Sequence, residues 1–211
     1  MKIECIGVTK IYQEQAVLKN VSVGFEEGKV HGLIGRNGSG KTVLMKCICG
    51  YVRTDQGNVW IDQKELGKDI QFPDRMGLML ENPGFLPEFS GRYNLELLYT
   101  IRRSGKCNAV SDAMRKVGLE PDSRKKVGHY SLGMRQRLAI AQAIMEDPDL
   151  LILDEPFNGL DSGGVEEIRA LLKEQRSEGK TILLSSHYAE DIEALCDTVH
   201  EMDAGVITRI R

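Results

Sequence analysis

The stretch Gly35-Arg36-Asn37-Gly38-Ser39-Gly40-Lys41-Thr42, GRNGSGKT, decides the fold. It fits G-x-x-x-x-G-K-[S/T] and lies between a β-type run, VHGLIG, and an apolar helical run, VLMKCICGY, as a phosphate-binding loop requires. Glycines let backbone N–H groups close around phosphate oxygens. The helix that follows adds partial positive charge at its N-terminus. Lys41 is expected to reach the β- and γ-phosphates and Thr42 to give its hydroxyl to Mg²⁺. Val43 comes next, so no second hydroxyl follows. Gly35, Arg36, Asn37, Gly38, Ser39, Gly40, Lys41, Thr42 and Val43 are the expected nucleotide-binding residues.

A carboxylate for the metal belongs at the end of a neighbouring strand. The run LLILDE supplies one: four apolar residues bury the strand, and Asp154 appears at its carboxyl end, where open α/β sheets bind ligands. Asp154 is expected to hold Mg²⁺ and Glu155 to polarise an attacking water as general base. TILLSSH repeats the geometry and presents His187, a hydrogen-bond partner for a γ-phosphate. His31, His129 and His200 lack such context and read as structural or solvated. Further strands are expected in IECIGV, NVSVGF, NVWID and RMGLML, with EEGK as the turn between NVSVGF and VHGLIG. Helices are expected from Arg92 to about Gly118, with a break near RSGKCN, in SLGMRQRLAIAQAIMED up to Pro148, in SGGVEEIRALLKEQRSEGK and in AEDIEALC. TVHEMDAGVITRI reads as a closing hairpin. Alternating strands and helices imply an α/β fold with a mainly parallel sheet.

The totals agree. A chain of 211 residues suits one domain with an inserted lobe. A net charge of -3 and a pI near 5.9 give no global field toward nucleic acid. Five cysteines, Cys5, Cys47, Cys49, Cys107 and Cys196, without metal spacing read as reduced thiols. The N-terminus carries an acid and no long apolar block, unlike a signal peptide. No apolar run is long enough to span a membrane. Action at a membrane would therefore go through a partner, and no regulatory domain is expected after the last hairpin.

The order of these motifs resembles the nucleotide-binding subunit of an ABC transporter over nearly the whole chain. VTKIYQEQAVLKNVSVGFEEGKVHGLIGRNGSGKT is similar to the family's opening, LLILDEPFNGLD to its acidic strand and D-loop, and YSLGMRQRLAIAQAI to its signature stretch. The resemblance implies one ATPase domain over residues 1–211. Its P-loop NTPase (RecA-like) core would carry an N-terminal antiparallel β subdomain and an α-helical subdomain at about 84–146. It implies Tyr12 stacking on adenine, Asp161 as the D-loop aspartate, and His187 as the switch histidine. Ser131, Leu132, Gly133 and Met134 would meet the ATP held by a second subunit in a head-to-tail dimer.

Two positions depart from the family pattern. Glu81 stands where the family has a glutamine that touches metal and water; a carboxylate still ligates Mg²⁺, at the cost of negative charge near the γ-phosphate. The signature, usually L-S-G-G-Q, reads Tyr130, Ser131, Leu132, Gly133, Met134. Ser131 keeps a capping hydroxyl and Gly133 allows close approach of its N–H, whereas Leu132 adds bulk and Met134 removes an amide. A YSLGM signature resembles the branch that handles bacitracin and lantibiotic-type peptides. The expected function is ATP hydrolysis powering transport, with ATP and Mg²⁺ as cofactors and separate integral membrane permeases as partners. A homodimer or heterodimer of ATPase subunits would form at the cytoplasmic, inner face of the membrane, with no nucleic acid. The alternative is a non-transport ABC-type ATPase acting on DNA or ribosomes. That class would carry a coiled-coil insertion, zinc cysteines or a second cassette, none of which is present.

Overall fold

The computed structural model describes residues 1–81, 84–102 and 108–211. The expected break at RSGKCN, with Cys107, lies mostly outside them. Two sheets organise the chain. The strands β1 (Ile3–Tyr12), β2 (Gln15–Phe25), β4 (Gln56–Ile61) and β5 (Lys64–Glu65) form an antiparallel sheet in the order β2-β1-β4-β5. The second sheet holds β3 (Val30–Ile34), β6 (Met76–Met79), β7 (Leu150–Leu153), β8 (Thr181–Ser185), β9 (Thr198–Asp203) and β10 (Val206–Arg209). Its order is β10-β9-β3-β8-β7-β6, and every pair is parallel except the closing hairpin β9–β10. The EEGK turn therefore passes the chain from one sheet to the other.

The strand β7 (LLIL) and the middle of β8 (ILL) are continuously apolar and buried because both faces of the sheet are covered there. Along β7, Leu150 and Ile152 join a core with helix α1 (Lys41–Ile48) and the antiparallel sheet, while Leu151 and Leu153 join a core with the other helices. Those helices are α2 (Gly91–Arg102), α3 (Ala109–Lys116), α4 (Leu132–Ile144), α5 (Ser162–Ser177) and α6 (Ala189–Leu195). α2 packs on α3, α3 on α4, and α4 on β6. α4 stops at Ile144, short of Pro148: Asp147, in front of the proline, takes φ +52°, and a residue before proline is disfavoured in the helical region. β1 and β2 run past the expected IECIGV and NVSVGF to meet at Tyr12 and Gln15. Gln13 and Glu14, both at positive φ, make this two-residue turn without the usual Asn or Gly.

Candidate active site

The loop after β3 is shaped by close backbone approach. A Cβ on Gly35 would lie 2.2 Å from the Met202 carbonyl oxygen, and φ at Gly40 is +111°, so only glycine fits either position without strain. Lys41 is buried; its Nζ donates to the carbonyls of Gly35 at 2.6 Å and Arg36 at 3.3 Å. Its charge is thus met by dipoles rather than by a carboxylate. The Ser39 Oγ is buried in the same loop with no hydrogen-bond partner. An orphaned hydroxyl beside a buried ammonium, at the start of a helix, fits a phosphate oxygen. The open cleft here is lined by Val17, residues 37–43, Asp154 and Glu155.

β7 and β8 bring the second half of the site. Leu153 pairs with Leu184, so the residues just beyond, Asp154 and Ser185, fall side by side. Thr42 Oγ1 donates to Asp154 Oδ2 at 2.5 Å, and Ser185 Oγ donates to Asp154 Oδ1. Thr42 and Asp154 thereby bring together two side-chain oxygens of the kind that would hold Mg²⁺. No larger group of His, Cys, Asp and Glu gathers among the described residues.

Glu155 sits in the left-handed region at φ +52°, a conformation that costs on the order of 1–3 kcal/mol and persists where its surroundings fix it. Its N–H donates to Ser185 Oγ at 2.8 Å, and its carbonyl accepts from Gln136 Nε2 at 2.9 Å. Its carboxylate Oε2 lies 2.8 Å from His187 Nδ1. His187 thus rests on the carboxylate expected to act as base.

Other expected residues occupy the periphery. Glu81, at φ +54°, pairs with Lys46 Nζ at 2.5 Å, and Lys46 lies one helical turn after Thr42. Tyr12 is exposed at the end of β1, with Lys10 Nζ 5.3 Å from its ring centre. Ser131 caps α4, its Oγ accepting from Met134 N–H at 3.1 Å. Leu132 is 58% exposed and lies over Gly159, whereas Met134 packs against the core between the parallel sheet and the helices. Asp161 caps α5 by accepting from Gly164 N–H at 2.8 Å. Three residues of the site, Ser185, Lys46 and Gln136, were not expected from sequence. Ser185 had a partial signal: it is the polar residue that closes the apolar run ILL, although its place beside Asp154 comes only from the β7–β8 register. Lys46 and Gln136 had none, since each resembles an ordinary polar residue on a helix.

Comparison with known proteins agrees with this geometry. The profile of the ABC transporter family matches residues 18–158. An uncharacterized ABC transporter ATP-binding protein of Bacillus subtilis, YybJ, is 43% identical, covering 96% of this chain and 93% of that protein. The bacitracin transport ATP-binding protein BcrA of Enterococcus faecalis is 40% identical over 96% of this chain and 67% of its own length. The lantibiotic transport ATP-binding protein SrtF of Streptococcus pyogenes is 36% identical over 92% and 83%, respectively. Among solved structures, the dimeric bacterial ABC transporter cassette MJ0796 superposes with a TM-score of 0.88 at 26% identity, covering 99% of both chains. The loop, the acidic strand and these likenesses together place the chain in the ABC transporter family, as one of its ATP-binding ATPase subunits.

Proposed function

We propose that this subunit powers the movement of a peptide antibiotic or drug-like compound through separate permease subunits, and that Glu155 is its catalytic base. The observation that carries the reading is the joined cluster over the phosphate loop: Thr42 and Asp154 share a proton-bridged contact, and Glu155 and His187 stand beside them. Bound Mg²⁺ would neutralise phosphate charge, held by Thr42 and Asp154. Glu155 would take a proton from water, and His187 Nδ1 would orient that carboxylate. Lys41 would leave its carbonyls for the phosphates, and Tyr12 would flank the adenine.

The permease side of the proposal rests on an exposed apolar stripe. Leu86, Phe89, Tyr93, Leu97 and Ile101 are each more than 40% exposed, and the last three recur at helical spacing along α2. Phe89 and Tyr93 stack at 4.5 Å. Among the described residues no helix is long and apolar enough to cross a membrane, so membrane passage falls to the partners and this subunit works from the inner face. Two ATPase subunits, identical or related, would close head to tail, with Ser131 and Gly133 of one on the nucleotide of the other. The relatives that transport bacitracin and lantibiotics supply the cargo class.

Glu155→Gln tests the central assignment. Steady-state hydrolysis should fall about 100- to 10,000-fold while ATP binding persists. In cells carrying the chain with its permease, the same variant should abolish protection against bacitracin or a lantibiotic. Near-normal turnover in Glu155→Gln would sink the base assignment.

A further inference from the structure

Glu155 is held through its backbone as well as its carboxylate, and one backbone anchor comes from the signature helix. Ser185 receives the Glu155 N–H, and Asn158 N–H returns to the Glu155 carbonyl at 3.2 Å. Both anchors belong to the acidic-strand end and its neighbour. The Gln136 amide, at 2.9 Å from the same carbonyl, comes from α4. Gln136 follows the cap Ser131 by five positions, roughly 7.5 Å along the helix. The start of α4 rides on the same segment. A Cβ on Gly133 would lie 2.9 Å from Gly159 O, and one on Gly159 would lie 2.5 Å from Leu132 Cγ. Leu132, Gly133 and Gln136 thus tie α4 to residues 155–159 from end to end.

We infer that Gln136 is a positioning residue for hydrolysis, coupling the signature helix to the backbone of Glu155 in the same chain. The Gln136 side chain spans from helix to peptide and donates to a carbonyl whose residue sits at positive φ. A shift or tilt of α4, set when Ser131 meets the partner's nucleotide, moves that carbonyl and turns the Glu155 carboxylate. Each subunit then senses the ATP in the neighbouring site before hydrolysing its own. Leu132 strengthens the link, because its side chain fills the space above Gly159 that a second signature glycine would leave open.

The inference rests on Glu155 acting as base, and the experiment separates the two. Gln136→Met keeps the length of the side chain and removes the donor; Gln136→Lys restores a donor. Gln136→Met should lower kcat about 10-fold or more, since small misplacements of a catalytic group are costly. The KM for ATP should stay within about 2-fold, the thermal midpoint should hold, and Gln136→Lys should recover most of the rate. In a background of Ser131→Arg, where the signature no longer engages, Gln136→Met should add no further loss. An unchanged kcat in Gln136→Met overturns the inference. So does a combined loss of kcat, KM and thermal midpoint without rescue by lysine, which marks a mere structural prop. Losses that multiply in the Ser131→Arg background overturn the coupling between sites. Normal turnover in Glu155→Gln overturns the base assignment itself, and is read in a different variant.

Discussion

Glu81 is the residue whose role turns on a magnitude. Its carboxylate is held by Lys46 at 2.5 Å, yet the Glu81 side chain is 64% exposed. An exposed pair of this kind contributes at most about 1 kcal/mol, so the lysine parks the carboxylate without locking it. A divalent cation held by Thr42 and Asp154 would compete for such a group. If Glu81 turns to the metal, Glu81→Ala should raise the Mg²⁺ needed for half-maximal hydrolysis on the order of 10-fold, as loss of a metal-supporting group does. An unchanged Mg²⁺ titration would make it a plain loop acid. The two altered signature letters also find a physical place. The Leu132 side chain lies on Gly159 and the Met134 side chain on the helix-covered core, so neither side chain blocks the Ser131 hydroxyl, whose oxygen accepts from the Met134 backbone N–H. The residues legible in the sequence were those whose chemistry follows from strand ends: Asp154, Glu155, His187. Gln136 was illegible because its partner is a backbone carbonyl, which no side-chain pattern announces.

At the scale of elements, α4 has two tasks that pull in different directions. Its first turns serve the site, and its later residues must fit against β6. The fit is tight at Gly77, where a Cβ would stand 1.9 Å from Ala143 O and 2.8 Å from Leu151 Cδ2. Helix backbone and strand backbone meet there with nothing between them. Gly77→Ala forces the two apart and should cost about 3 kcal/mol, read as a lower urea midpoint with an unchanged slope. Wild-type stability in that variant would mean the helix yields without cost. The strand–helix alternation was readable because apolar runs of four or five residues ended in polar groups. The β1–β2 hairpin was not, since Gln13 and Glu14 carry no turn signal; strand pairing on either side forces their positive φ. Even the register that joins Asp154 to Ser185 depends on how β7 lies beside β8, which is a tertiary fact.

The whole molecule depends on how the two sheets meet around α1, and part of that joint titrates. Phe25, the last residue of β2, stands edge-on to His31 at 5.2 Å and to His200 at 5.3 Å. His31 is satisfied: Nδ1 lies 2.7 Å from Thr198 Oγ1 and Nε2 2.8 Å from the Glu26 carbonyl. His200 is buried with Nδ1 unpartnered, so protonating it would bury an N–H with no acceptor. Burial foremost, then the neighbouring His31 and Arg209, pushes His200 down to about 4. Burial also lowers His31, against the opposing pull of the Glu26 carbonyl and of Asp197 and Glu26. Both rings are therefore neutral in the folded protein at pH values where the unfolded chain, with an ordinary histidine near 6.5, already takes a proton. The stability that this neutrality confers is complete above about pH 6.5 and is lost as the pH falls toward 4. For His200 alone the loss between pH 7 and pH 4.5 is about 2 kcal/mol. Urea unfolding at the two pH values should show it, and His200→Phe, which cannot titrate, should shrink the difference by about that amount. An equal pH dependence in wild type and variant would assign the acid sensitivity to carboxylates elsewhere, such as Asp147 beside Lys180, whose pKa is lowered by that lysine's hydrogen bond and charge.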